Sequence, residues 1–156
     1  PLQRRKIPAI IVANDLTSQK GRTPMVENYQ EMLQQESNGF ILHNGIRIVS
    51  VDEEKSVLEA DITDNCRNVW GSVHGGFLYT MADTAAGAYA RIKYERHNVT
   101  LSGSMNYLRS TTKSEMLRAV GREIKVGGHV GFFAVDITDD TGALIATAQM
   151  NMYFLK

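Results

Sequence analysis

The spacing of apolar residues changes twice along the chain. Between Met25 and Leu33 apolar residues recur every three or four positions, which predicts a helix that Gly39 is expected to end. From Ile46 the period changes to two. Over residues 58–62 apolar and acidic side chains alternate, as they do in a half-buried strand.

The second half of the chain predicts one long helix followed by strands. A polar loop from Asp64 to Ser72 leads to a helix from about Gly75 to Tyr94. After Asn98 only strands follow, separated by turns at residues 125–129 and 139–142. The order helix-β-β-helix-β-β-β-β predicts an α+β domain with a mostly antiparallel sheet of five or six strands. In the last strand one face is expected to carry Leu144, Ala146, Ala148, Met150, Met152 and Phe154.

Length and charge restrict the class of protein. The 156 residues suggest one core, which we place in residues 39–156, with residues 1–38 as an arm that carries one helix. Because 17 basic residues balance 17 acidic ones, no net charge favours nucleic acid or an anionic membrane. No apolar run approaches the roughly 20 residues that span a bilayer. A single cysteine, Cys66, excludes an intrachain disulfide and is typical of a reducing compartment, so we expect a cytoplasmic protein.

The two faces of the predicted central helix differ from those of an ordinary surface helix. At about 100° per residue one face is an apolar core stripe. The opposite face is small and almost uncharged, and Asp83 is its only charge before Lys93. We therefore expect the sheet to cover one side of the helix and a partner subunit the other. The core stripe comprises Phe77, Leu78, Met81, Ala85, Ala88, Tyr89 and Ile92, and the opposite face Gly76, Tyr79, Thr80, Asp83, Ala86, Gly87 and Ala90.

Two features of this helix are candidates for chemistry. A largely desolvated carboxylate such as Asp83 needs either a partner, for which Thr80 is near in sequence, or a function. Gly75 and Gly76 begin the helix directly after His74. Free N–H groups at a helix start hold an oxyanion well, and glycine lets a ligand approach the backbone, although a plain loop-to-helix turn also uses glycine.

The combined motif resembles the PaaI-like hotdog thioesterase family over roughly residues 40–155. The resemblance is carried by Asn68-x-x-Gly71-x-x-His74-Gly75-Gly76, by Ala82-Asp83-x-Ala85, by the strand through Asn106-Tyr107-Leu108-Arg109 and by residues 142–148. It implies a sheet wrapped around the central helix and hydrolysis of an acyl-CoA or related thioester. It also implies a homodimer or homotetramer whose active sites are shared between subunits.

The resemblance implies a role for each matching residue. Asp83 would be the general base for water, or the nucleophile, and the Gly75 amide the oxyanion donor. Asn68 would orient water or substrate, and His74 would support the same loop. Thr100 would assist the acid, with Ser102 as the alternative if the alignment shifts. Ser110 departs from the family, since many relatives have proline there.

Other residues are assigned from the sequence with an alternative beside each. Gly76, Ser102 and Arg109 are taken as substrate contacts. Arg109 would face the CoA phosphates, as could Lys113, Arg118, Arg122 and Lys125, although strand residues are often basic for solubility alone. The sheet core is the first assignment, and a role in the acyl pocket the second, for four aromatic residues: Tyr107, Phe132, Phe133 and Tyr153. The four histidines show no ligand spacing, so neither a metal nor a cofactor is expected.

Two other functions remain open on the same fold. One is a hydratase or dehydratase that acts on acyl chains, and the other is an acyl-CoA-binding domain without catalysis. Asp83 and the His74-Gly75-Gly76 segment favour the thioesterase over both. The acyl group, the choice between dimer and tetramer and the role of the arm are not determined by the sequence.

Overall fold

The computed structural model describes residues 39–156. It contains two helices, α1 (Gly39–His43) and α2 (Gly75–Tyr94), and a short 3-10 helix (Asp64–Cys66). The helix predicted between Met25 and Leu33, and with it the arm, lies outside these residues. Gly39, predicted to end that helix, is the first residue of α1. The strands are β1 (Ile46–Val51), β2 (Ser56–Asp61), β3 (Asn98–Tyr107), β4 (Met116–Val126), β5 (Val130–Asp139) and β6 (Leu144–Phe154).

The six strands form one sheet in the order β1-β2-β4-β5-β6-β3, and every neighbouring pair is antiparallel. Helix α2 contacts all six strands, so the sheet surrounds the helix along its length. The predicted α+β class, with an antiparallel sheet around one long helix, is confirmed. The predicted turns at residues 125–129 and 139–142 join β4 to β5 and β5 to β6.

The core lies between α2 and the concave side of the sheet. Met81, Ala85 and Tyr89 of the predicted stripe are fully buried, but Ile92 is only half-buried at the last turn of the helix. Two residues of the opposite face, Ala86 and Ala90, are also fully buried within the single chain. The face left for a partner is therefore narrower than the sequence predicted.

One residue of β6 was assigned to the wrong face. Ala146 to Phe154 alternate as predicted, whereas Leu144 is 41% exposed and Ile145 is fully buried. The β5–β6 register shifts at this point, because Ile137 pairs with Ala146 while Thr138 pairs with Leu144. The extra residue, Ile145, forms a bulge that turns its own side chain inward in place of Leu144.

Within the part of the chain that the structure describes, no helix has the length and apolar character needed to cross a membrane.

Candidate active site

His74 fixes the start of α2. Its Nδ1 accepts a hydrogen bond from the Gly76 N–H at 2.9 Å, and its carbonyl accepts one from the Phe77 N–H at 2.9 Å. Within residues 39–156 no acceptor is bonded to the Gly75 N–H. Because the first N–H groups of a helix lie at the positive end of its dipole, the Gly75 N–H is a donor available to an anion. The N–H of Gly76, which we took as a substrate contact, is occupied by His74.

The loop before α2 is held rigidly by Asn68. Its Oδ1 accepts hydrogen bonds from the N–H groups of Trp70 (2.9 Å) and Ser72 (3.2 Å), and its N–H donates to the Ser72 carbonyl at 2.7 Å. Gly71 completes the turn with a φ of 77°, a conformation that favours glycine. The side chain of Asn68 therefore shapes the loop that leads to Gly75.

The segment after β3 braces this loop. The hydroxyls of Ser72 and Ser110 are hydrogen-bonded at 2.5 Å, and the Val73 N–H donates to Thr111 Oγ1 at 3.3 Å. The Ser110 hydroxyl therefore links the segment after β3 to the loop before α2.

A pocket of about 380 Å³ opens beside the start of α2. It brings Asn68 and Gly75 together with Arg109, and no carboxylate lines it. Arg109 is exposed, and its guanidinium makes no ion pair or hydrogen bond within the described residues. The pocket is lined by Asn68, Ser72, Val73, Gly75, Leu78, Tyr107, Leu108, Arg109, Ser110 and Thr111.

Asp83 and Thr100 form a separate pair, two turns further along α2. Thr100 Oγ1 donates to Asp83 Oδ1 at 2.5 Å, and the Asp83 side chain is half-buried. Thr80, the structural partner considered for Asp83, instead donates to the Gly76 carbonyl at 3.0 Å. The carboxylate is thus held from β3 rather than from its own helix.

A bulge in β3 decides which hydroxyl reaches Asp83. The β3–β6 register shifts between Thr100 and Ser102, because Thr100 pairs with Met152 and Ser102 with Asn151. Ser102 therefore points to the other side of the sheet, where its Oγ accepts from Asn151 Nδ2 at 2.8 Å. The structure brings Thr100 to Asp83 and does not bring Ser102 there.

Two of the aromatic residues assigned to the sheet core are on the surface. Phe133 is fully buried as predicted, but Tyr107 is 56% exposed and Phe132 39% exposed. Tyr107 lines the pocket, and its Oη donates to the Gly75 carbonyl at 3.2 Å. This contact with the helix start was not predicted from the sequence. Its only signal was the position of Tyr107 at the end of the strand that follows the helix.

Two of the other basic candidates and Cys66 are engaged elsewhere. Arg118 pairs with Glu59 at 2.6 Å, and Arg122 pairs with Asp136. Cys66 is buried, and its thiol donates to the Thr63 carbonyl at 3.0 Å. In residues 39–156 no three His, Cys, Asp or Glu side chains are grouped so that they could hold a metal ion.

Comparison with known proteins relates this geometry to a family. Residues 71–146 match the family model described as the thioesterase superfamily. The chain is 29% identical over 114 residues to the 1,4-dihydroxy-2-naphthoyl-CoA hydrolase of Listeria monocytogenes, covering 72% of this chain and 92% of that protein. It is 29% identical over 102 residues to the acyl-coenzyme A thioesterase PaaI of Escherichia coli, covering 65% of this chain and 72% of that protein.

Solved structures share the fold. The structure of E. coli PaaI matches with a TM-score of 0.76 at 22% identity, over 85% of this chain and 94% of that one. A Streptococcus mutans protein solved with acetyl-CoA bound matches with a TM-score of 0.66 at 25% identity, over 70% of this chain and 88% of that one.

Proposed function

We propose that this chain, which belongs to the thioesterase superfamily as a PaaI-like hotdog protein, hydrolyses acyl-CoA to the free acid and CoA. Two relatives support the substrate class, since one is named an acyl-coenzyme A thioesterase and the other a hydrolase of a naphthoyl-CoA. The observation that carries the proposal is the Asp83 carboxylate on α2, which accepts a hydrogen bond from Thr100 of β3. The first N–H of the same helix, that of Gly75, has no acceptor within residues 39–156.

The Gly75 N–H stabilises the oxyanion. Attack on a thioester moves negative charge onto the carbonyl oxygen, and a fixed donor aimed at that oxygen lowers the barrier because it needs no reorganisation. The helix dipole adds to the effect at this position. His74 contributes indirectly, since its bond to the Gly76 N–H fixes the first turn, and Asn68 fixes the loop that leads to it.

Asp83 supplies the attacking group. As a general base it takes a proton from water, whose oxygen attacks the thioester carbon, and the C–S bond breaks to release CoA thiolate. As a nucleophile it attacks that carbon itself, releases CoA thiolate and leaves an acyl-enzyme anhydride that water then cleaves. The Thr100 hydroxyl donates to one carboxylate oxygen and leaves the other for the reaction. Both routes need the ionised carboxylate and one fixed orientation, which the Thr100 hydrogen bond favours.

A partner copy completes the site. Gly75 and Asp83 are eight residues apart, which is about 12 Å along a helix, too far for both to act on one carbonyl carbon. The pocket beside Gly75 contains neither Asp83 nor Thr100. Strand β3 lies at the edge of the sheet with Val99 (47%) and Leu101 (57%) exposed, so it offers an unpaired edge to a second copy. We therefore infer that each active site combines Asp83 of one subunit with Gly75 of another.

Turnover of an acyl-CoA panel tests the proposed activity against its rivals. The panel would contain phenylacetyl, hydroxybenzoyl, short-chain and medium-chain CoA thioesters, with released CoA detected by a thiol reagent. We expect release of free CoA from at least one member. Tight binding without release would favour the non-catalytic acyl-CoA-binding domain, and water addition or loss on the acyl chain would favour a hydratase or dehydratase.

We expect Asp83→Asn to keep the fold and lose ~10²–10⁴-fold in kcat, because the amide neither accepts the proton nor attacks the thioester. Circular dichroism and the melting temperature would establish the fold. Asp61→Asn, on the exposed end of β2, is the matched control and should retain wild-type kcat. Wild-type turnover by folded Asp83→Asn would remove Asp83 from the mechanism.

A further inference from the structure

Tyr107 joins the end of β3 to the first turn of α2. Its Oη donates to the Gly75 carbonyl at 3.2 Å. A Cβ added to Gly75 would lie 3.1 Å from the Tyr107 Cζ and 3.2 Å from its Cε1 and Oη. These separations are shorter than ordinary van der Waals contact, so an alanine at position 75 would require the ring to shift by a few tenths of an ångström.

The Tyr107 ring reaches Gly75 because of the way side chains alternate between the two faces of β3. After the bulge, Gly103 faces α2, since a Cβ there would lie 2.5 Å from the Tyr79 hydroxyl. Tyr107 is four residues further along the strand and therefore faces the same side. Gly75 lies one helical turn before Tyr79, so the strand and the helix meet again at the pocket. Beyond Tyr107, the N–H groups of Leu108 and Arg109 both donate to the Ile145 carbonyl, at 2.8 and 3.1 Å, which fixes the strand end.

Tyr107 and His74 hold the same peptide group. The carbonyl of the Gly75–Gly76 peptide accepts from Tyr107, and its N–H donates to His74 Nδ1. The orientation of this peptide plane is thus fixed from both ends. Glycine has wide conformational freedom, so without these contacts the preceding N–H of Gly75 would point in a broader range of directions.

We infer that Tyr107 is a positioning residue for thioester hydrolysis, which holds Gly75 so that its N–H points at the thioester oxygen. The inference rests on the proposed function and adds a residue to it. The ring is 56% exposed and lines the pocket beside Gly75, so it is not needed to fill the core. Its contacts are with the helix start and the pocket.

Two substitutions separate the hydrogen bond from the ring. Tyr107→Phe removes the Oη donor and keeps the packing, so we expect kcat to fall about 2- to 10-fold with little change in KM. Tyr107→Ala removes both contacts, and we expect a loss of ~10²-fold in kcat, since small displacements of a catalytic group cost about that much. Tyr153→Phe at the far end of β3's partner strand is the matched control and should retain wild-type kcat.

A double variant tests whether Tyr107 acts through Gly75. Gly75→Ala should lower kcat because the new methyl group displaces the ring. With Tyr107→Ala the space is already open, so the double variant should lose much less than the product of the two single losses. Kinetics on the most active acyl-CoA and the melting temperature of each variant are the measurements.

The outcomes distinguish this inference from the proposed function. Lack of turnover of every acyl-CoA by the folded wild-type chain would overturn both. With an active wild type, unchanged kcat in Tyr107→Ala, or losses that multiply in the double variant, would overturn the positioning role alone. The positioning role would also be overturned if the fall in kcat of each variant were fully explained by the fraction of that variant that is unfolded.

Discussion

At the scale of single residues, the environment of Asp83 explains why a carboxylate can lie in the middle of a helix. A half-buried charge needs a hydrogen-bond donor, and Thr100 Oγ1 supplies one at 2.5 Å. A hydrogen bond to a charged group is worth about 1.5–3 kcal/mol, which is enough to fix the orientation of the carboxylate. Thr100 therefore acts on the reaction through Asp83.

We expect Thr100→Val to lower kcat by ~10-fold or more, because the isosteric change removes the donor to the attacking group. Ser102→Ala is the control on the same strand. Its hydroxyl bonds Asn151 on the other side of the sheet, so kcat should stay near the wild-type value. Steady-state kinetics on one acyl-CoA would decide, and equal losses in the two variants would contradict the assignment.

The sequence identified Asp83 and Gly75 as candidates and favoured Thr100 over Ser102 only through an alignment that could shift. The two residues are two apart, so a regular strand would place both on the same face. Only the bulge between them separates their directions, and that bulge depends on how β3 pairs with β6. The contact of Tyr107 with Gly75 was missed for a related reason, since it depends on where strand and helix meet in space.

At the scale of elements, α2 was predicted from about Gly75 to Tyr94 and spans those residues, and both of its ends have local causes. His74 caps the start, and Glu95 ends the helix in a left-handed conformation with a φ of 50°. The bulge at Ile145 has no such local signal, because it arises from the register between two strands. Periodicity therefore predicted the elements and most of their buried faces. It failed where a β-bulge inserts an extra residue into one strand of a pair.

The turn between β5 and β6 makes the free energy of unfolding depend on pH in the acidic range. Asp139 accepts hydrogen bonds from the Thr141 hydroxyl at 2.6 Å, from Ser114 Oγ at 2.9 Å and from the Ala143 N–H at 3.0 Å. These bonds, the Thr141 hydroxyl foremost, hold the pKa of Asp139 below its ordinary value because they stabilise the charged form. Its contribution to stability is complete above the unfolded-state pKa of about 4 and is lost as pH falls through the lowered folded-state pKa.

We expect Asp139→Asn to lower the free energy of unfolding by about 1 kcal/mol at pH 7. On acidification below pH 4 the free energy of unfolding of this variant should fall less than that of the wild type. Urea unfolding at pH 7, 5 and 3.5 would measure this. Asp140→Asn is the neighbouring control, since its carboxylate accepts only one long bond, from the Glu115 N–H at 3.3 Å. An identical pH dependence in wild type and Asp139→Asn would contradict the explanation.

At the scale of the whole molecule, the fold separates the two halves of the proposed chemistry. The Asn68 loop, Gly75 and Arg109 line one pocket, whereas Asp83 and Thr100 lie two turns away beside the β3 edge. An antiparallel pairing of two copies along that edge would bring Asp83 of one copy toward Gly75 of the other. We therefore expect an oligomer with shared active sites.

Subunit mixing tests this central claim most directly. Asp83→Asn and Asn68→Ala, each nearly inactive alone, are combined, and exchange is verified by mass spectrometry. In a mixed dimer one site would carry both substitutions and the other neither, so random exchange should restore about a quarter of wild-type thioester hydrolysis. Complete exchange between folded subunits with no recovered activity would contradict a site built from Asp83 of one copy and Gly75 of another.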